Sequence, residues 1–221
     1  MKKIVFALAL VVLSLAQITP LEAREGRHGK SQQEPVAGVF DYYLLTLSWS
    51  PTYCLTHQGA AQCSGKGYGF VLHGLWPQYA GGGWPADCSP TTALTGAERA
   101  QASTLFPSPK LVEHEWSKHG TCSGLSAKGY FDTADKAVAA VKIPNELQPS
   151  ATPRYFTAVE VADLFRKNNA RMPEDGVAIT CNGPELAEVR VCLSKDLSFT
   201  SCGKGVKTRC RAGEVRVPPI R

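Results

Sequence analysis

The chain opens with an apolar run from Ile4 to Ala16 behind Lys2 and Lys3, and a polar-leaning stretch then leads to Leu21-Glu22-Ala23. Residues 24–38 carry Gly, Gln and mixed charge without apolar periodicity, the pattern of a flexible leader, so order is expected from Val39. Phe40 to Trp49 is rich in the aromatic and apolar residues that strands favour and predicts a long buried strand, stopped by Pro51. Tyr68 to Leu72 predicts a second, short strand running into His73, and the Gly, Pro and Ser of residues 79–91 predict a loop. Residues 95–105 have helical composition and end before Pro107. Ser108-Pro109 supplies a capping hydroxyl and a first-turn proline for a helix to about Lys118, which Gly120 ends. An Ala-rich helix over Tyr130–Lys142 stops at Pro144, and Thr157-Ala-Val-Glu160 is a capping box opening a helix to about Asn168. Glu188 to Leu193 alternates polar and apolar, with Leu197 to Ser201 after a turn, as in paired strands. With no internal repeat or second linker, the pattern predicts an α+β fold. A central antiparallel β-sheet is packed with several α-helices in one domain over residues 39–221.

Composition fixes the compartment. A charged start, an apolar middle too short to span a bilayer and a small residue at a plausible cut site read as an export signal over residues 1–23. The expected location is therefore periplasmic or secreted, with no membrane attachment once the signal is removed. All eight cysteines lie beyond the predicted cut, and an even count in an exported chain reads as disulfides. Counting does not connect them; no spacing is C-x-x-C, which argues against structural zinc. The formal charge of +5 falls by one when Lys2, Lys3 and Glu22 are removed, leaving a modest attraction for polyanions.

Five histidines are available. His28 sits in the leader and His57 between Cys54 and Cys63, settings that rarely hold a fixed geometry, so both are read as bystanders. Glu113-His114-Glu115-Trp116-Ser117-Lys118-His119-Gly120-Thr121-Cys122 is denser. On a helix Glu115, Lys118 and His119 share a face, putting a carboxylate, an ammonium and an imidazole together; a solvated, salt-bridged face has the same pattern. His114-Glu115 opens like a zinc helix, but Lys118 occupies the position of the second histidine. A five-residue separation turns His114 and His119 about 140° apart, so shared chelation is not expected. In His73-Gly74-Leu75-Trp76-Pro77-Gln78-Tyr79 an imidazole adjoins an aromatic platform, an arrangement also found in packed cores.

Taken together, His73 to Pro77 and His114 to Cys122 resemble the two signature segments of the ribonuclease T2 family. The resemblance extends to Phe40–Cys54 and Glu188–Cys192 and covers roughly residues 39–215. It implies that His73 and His119 form a general acid–base pair, that Glu115 and Lys118 support the phosphoryl group, and that His114 helps hold the phosphate. Trp76 would stack on a base, and Trp84 stands where the family has a further aromatic. Gln78 replaces a frequent acidic residue, which would broaden base preference. The implied disulfides are Cys88–Cys122, Cys181–Cys210 and Cys192–Cys202, leaving Cys54–Cys63.

The implied reaction needs no metal or cofactor. RNA brings its own nucleophile, the 2′-hydroxyl: one imidazole removes its proton, the other protonates the departing 5′-oxygen, and a 2′,3′-cyclic phosphate results before hydrolysis to a 3′-phosphate. Single-stranded RNA is the expected partner, DNA is not cut, and a monomer is expected. His119 is favoured as the base. The basic run Lys204 to Arg211 could track phosphates or form a solvated edge. Three other readings are a non-catalytic binding protein of this fold, a zinc peptidase, and a toxin acting inside another cell.

Overall fold

A computed structural model of the chain describes residues 35–89, 93–211 and 213–220. The expected export signal over 1–23 and most of the leader lie outside the described residues. The leader's last part does not: residues 36–38 form a turn whose Gly38 N–H donates to Cys122 O at 2.9 Å, pinning this part of the expected leader to the domain. Gly124 sits so close to Gly38 that a Cβ there would lie 2.8 Å from the Gly38 Cα.

At the sheet's centre is β1 (Tyr42–Trp49), flanked by β2 (Phe70–Gln78) and β5 (Glu185–Leu193), both antiparallel to it. Strand β5 also pairs with β4 (Val177–Asn182) and meets β6 (Glu214–Val217), which pairs with β3 (Arg154–Thr157). The β5–β6 joint is a single parallel pair, Glu185 with Arg216, so the sheet is mixed at that point rather than wholly antiparallel. The segment Leu197–Ser201 makes only one bridge, Leu193 with Phe199, because Leu197 adopts a left-handed φ of 67° that interrupts extended pairing.

Among the described residues five α-helices accompany the sheet: α1 (Ser50–Thr56), α2 (Gly96–Ala102), α3 (Pro109–Lys118), α4 (Ala127–Ala140) and α5 (Ala158–Asn168). Pro51 ends β1 by opening α1 in its first turn, where a missing N–H costs nothing. Ser108 caps α3 through Leu111 N, and reciprocal Thr–Glu boxes cap α2 (Thr95, Glu98) and α5 (Thr157, Glu160). After α3 the chain passes into a short 3₁₀ turn, Gly120–Ser123, and turns left-handed at Gly124 rather than at Gly120. Gly120 is needed for another reason: a Cβ would meet the Trp116 ring at 2.5 Å.

The two faces of the sheet differ. Leu45, Leu47, Trp49, Leu72, Leu75, Ile179, Val189 and Val191 join Val112, Phe131 and Phe165 of the helices in the main core. The opposite face carries Thr46, Ser48, Glu188 and Arg190 beside a small apolar cluster of Tyr42, Leu44 and Cys192, against which Trp76, Cys202 and Val206 pack. A β-bulge in β2 decides which side chains reach this second face. Thr46 pairs with Gly74 and Leu47 with Leu72, leaving His73 as the extra residue. The bulge resets the two-residue alternation, so Leu72 enters the core while His73 joins Trp76 on the polar face.

The four disulfides are Cys54–Cys63, Cys88–Cys122, Cys181–Cys210 and Cys192–Cys202, the pairing the resemblance implies, with no free cysteine. Bridges of this kind typically contribute about 2–4 kcal/mol each.

Asn169, buried just after α5, accepts from Lys142 N–H at 2.7 Å and donates to Lys142 O at 2.9 Å and Phe165 O at 2.8 Å. Asn169→Ala strands the part-buried N–H and C=O of Lys142, at about 1–3 kcal/mol for an unsatisfied group. A fall of about 3–10 °C in the melting midpoint is expected, read by calorimetry.

Candidate active site

Three elements converge on the polar face at the β2 edge. Strand β2 contributes His73, Gly74 and Trp76; β5 contributes Glu188 and Arg190; α3 contributes His114, Glu115 and Lys118, with His119 as its C-terminal cap. The structure brings most of the residues singled out in the sequence into one cluster. The imidazoles of His73 and His119 flank the same indole, Trp76, with ring centroids 5.0 and 5.3 Å from it.

Glu115 is fully buried, and its Oε2 accepts from Trp76 Nε1 at 2.6 Å. Gly74 makes room for that bond: a Cβ there would lie 2.1 Å from both the Glu115 Oε2 and the Trp76 Nε1. The other carboxyl oxygen, Oε1, has no hydrogen-bond partner and lies 4.0 Å from His73 Nε2. On its far side His73 Nδ1 meets Glu188 Oε1 at 2.7 Å. Arg190 holds Glu188 Oε2 through Nε at 2.9 Å and Nη2 at 2.6 Å, with its guanidinium carbon 5.7 Å from the Trp76 ring centroid. Thr180 Oγ1 also approaches Glu188 Oε2, at 3.4 Å.

These surroundings give the two histidines opposite proton preferences. Burial alone would lower the His73 pKa, but the hydrogen bond and charge of Glu188 and the charge of Glu115 outweigh it, and the net shift is upward. For His119 burial, then the positive charges of Lys118, His114 and His73, push its pKa down to about 3. Burial pushes Glu115 up to about 7, against the opposing pull of His73, the Trp76 N–H and Lys118. For Glu188 burial acts upward, yet the His73 hydrogen bond and Arg190 carry it down to about 2. Exposed His114 is lowered by partial burial and by Lys118 and His73.

Some sequence expectations need revision. Gln78 is buried and donates to Pro77 O at 3.1 Å, so its amide is not presented to a ligand. Trp76 is half-buried, bonded to Glu115 and flanked by two imidazoles and a guanidinium, so it organises the site instead of standing free as a stacking platform. Trp84 is 57% exposed and free to stack. The ligand atoms of His114, Glu115 and His119 all lie within 4.8 Å of one another, closer than their sequence separation suggests. The reason is that α3 ends at Lys118, and His119, with φ −116°, leaves the helical path. His57 stacks on Tyr53 at 4.0 Å, and His28 lies outside the described residues. Glu188 and Arg190 were not singled out as site residues. Their alternation marks a shared face, but only the register of β5 on β1 brings that face to His73.

Residues 40–202 match the family model for the ribonuclease T2 family. The chain belongs to the ribonuclease T2 family. A ribonuclease of Aeromonas hydrophila is 47% identical over 104 residues, 47% of each chain. A probable ribonuclease of Haemophilus influenzae is 35% identical over 139 residues, 56% of this chain and 50% of its own. The aligned part thus spans about half the length of these two relatives. Among solved structures, an RNase-related protein from Calystegia sepium superposes with a TM-score of 0.64 at 24% identity, over 82% of this chain and 97% of that one, a likeness of fold.

Replacing Glu188 by Gln removes the charge that keeps His73 protonated. In Glu188→Gln the His73 pKa, read by NMR titration of the ring, is expected to fall below its value in the unaltered protein; an unchanged titration would disconnect the two groups.

Proposed function

We propose that the protein is a metal-independent endoribonuclease that cleaves single-stranded RNA by attack of the 2′-hydroxyl on the adjacent phosphorus. One observation carries the reading: two imidazoles with opposite proton preferences flank one indole. Neutral His119 accepts the 2′-hydroxyl proton. Protonated His73, anchored through Nδ1 on Glu188, uses Nε2 to donate a proton to the departing 5′-oxygen. The products are a 2′,3′-cyclic phosphate and a free 5′-hydroxyl; water then opens the ring to a 3′-phosphate with the two histidines exchanging roles.

Glu115 supports the phosphoryl group from below. With its pKa near 7 it holds a proton at mildly acidic pH, and its unpartnered Oε1 can bond a non-bridging phosphate oxygen. Lys118 offsets the charge that builds there, and His114 borders the same space. A cavity of about 440 Å³ opens beside His73 and His114, large enough for a nucleoside. Trp84 offers a stacking face that any base can use, which supports low base specificity. No step calls for a metal, although His114, Glu115 and His119 could gather round one. Four disulfides support export to the periplasm or beyond, and among the described residues no helix is long and apolar enough to cross a membrane. The working form is taken to be a monomer.

His73→Ala and His119→Ala are each expected to lose about 10²–10⁴-fold in turnover of single-stranded RNA while remaining folded; near-normal turnover in either purified variant would remove the mechanism. The pH profile of kcat/KM has a predictable sign. Activity falls as pH rises through the His73 pKa, above its ordinary 6.5, and persists well into the acid range because His119 protonates only near about 3. Glu188→Gln should move the alkaline limb to lower pH. Excess chelator should leave the rate unchanged and DNA should stay intact; loss of RNA cleavage in chelator would restore a metal role.

A further inference from the structure

The family match ends at Cys202, and the basic segment beyond it is not used by the chemistry above. Its position is fixed at both ends by disulfides, Cys192–Cys202 and Cys181–Cys210. Lys204 N–H donates to Ala80 O at 2.9 Å, and Gly203 packs so tightly that a Cβ would lie 2.8 Å from the Ala80 Cα, placing this end against the loop that leads to Trp84. Val206 packs in the apolar cluster with Trp76 and Cys202 on the polar face of the sheet. At the far end Arg209 N–H donates to Ile179 O at 2.7 Å and Arg209 bridges Thr180, whose hydroxyl approaches Glu188. The segment therefore arcs over the catalytic face, from the Trp84 loop past Trp76 to the Glu188 end. Lys204, Lys207 and Arg209 are exposed along it, and none makes a side-chain ion pair among the described residues. Arg211 instead lines a separate cavity with Glu214.

We propose that Lys204, Lys207 and Arg209 form a phosphate-binding track that engages single-stranded RNA beyond the cleaved phosphodiester. The inference rests on the endoribonuclease reading for the identity of its ligand. A backbone of regularly spaced anionic phosphates matches cations presented along a pinned segment, and such contacts bind without regard to base sequence. A dinucleotide reaches only the histidine pair, whereas a longer strand reaches the track.

The test compares the full protein with the triple variant K204Q/K207Q/R209Q, and with Lys207→Glu as a milder change at an exposed side chain. A fluorescent 2′-O-methyl RNA 20-mer, which lacks the nucleophile, is titrated by anisotropy across salt, and cleavage of a dinucleotide is measured in parallel. The triple variant is expected to bind the 20-mer about tenfold or more weakly at low salt. The slope of log K on log salt should be shallower by about 2, roughly 0.7 per lost phosphate contact. Dinucleotide kcat/KM should be unchanged. Unaltered 20-mer binding overturns the proposal, as does an equal loss on the dinucleotide. If neither protein cleaves the dinucleotide while the binding difference stands, the catalytic reading fails and the track survives as an RNA-binding surface.

Discussion

A carboxyl group with no solvent exposure donates order to this site through its bond to an indole. Glu115 arrives from α3 and Trp76 from β2, and their contact exists only because residue 74 has no side chain. That bond fixes the helix against the sheet edge and sets the plane of Trp76, against which both imidazoles rest. A buried acid with one oxygen bonded and the other unpaired is costly in an interior. Its persistence here is consistent with a site that holds an unmet hydrogen-bonding capacity ready for a ligand.

The histidines show how one small region can favour two proton states. His73 sits over a glutamate locked by an arginine, and the resulting local negative charge defeats desolvation. His119, on the other side of the Trp76 contact, has burial and positive neighbours acting in the same direction. The difference comes from what lies beside each ring: β5 delivers the ionised Glu188 carboxylate to His73, while α3 sets Lys118 and His114 near His119 together with Glu115, whose own pKa burial pushes up to about 7. The difference in proton preference is thus built into the topology and does not depend on a long-range field.

Local signals in the sequence exposed much of this. The strand at Tyr42, the capping serine before Pro109 and the Thr157 box each carry their own physical cause within a few residues, and each element forms where that cause acts. What stayed hidden is non-local. Strand β2 continues through Pro77 because it lies at the end of the sheet, where a residue without an N–H is tolerated. The four-residue strands β3 and β6 lack enough residues to announce a period, and β4 opens with an unbroken apolar run, Val177–Ile179, that shows no alternation. Glu188 becomes a site residue only through pairing across the sheet, and Gln78 leaves the surface for the same reason. Residue chemistry named the histidines; the register of three strands determined their partners.

The bulge that leaves His73 unpaired opposite β1 carries an evolutionary consequence. Were β2 to pair in unbroken register from Gly74, His73 would fall opposite Leu47 and turn inward, and Leu72 would face the polar side opposite Ser48. The ring's outward aim therefore depends on residue count as much as on residue identity. Homologues should absorb substitutions around this point far more readily than a single-codon deletion, and length changes are expected to collect in the loops instead.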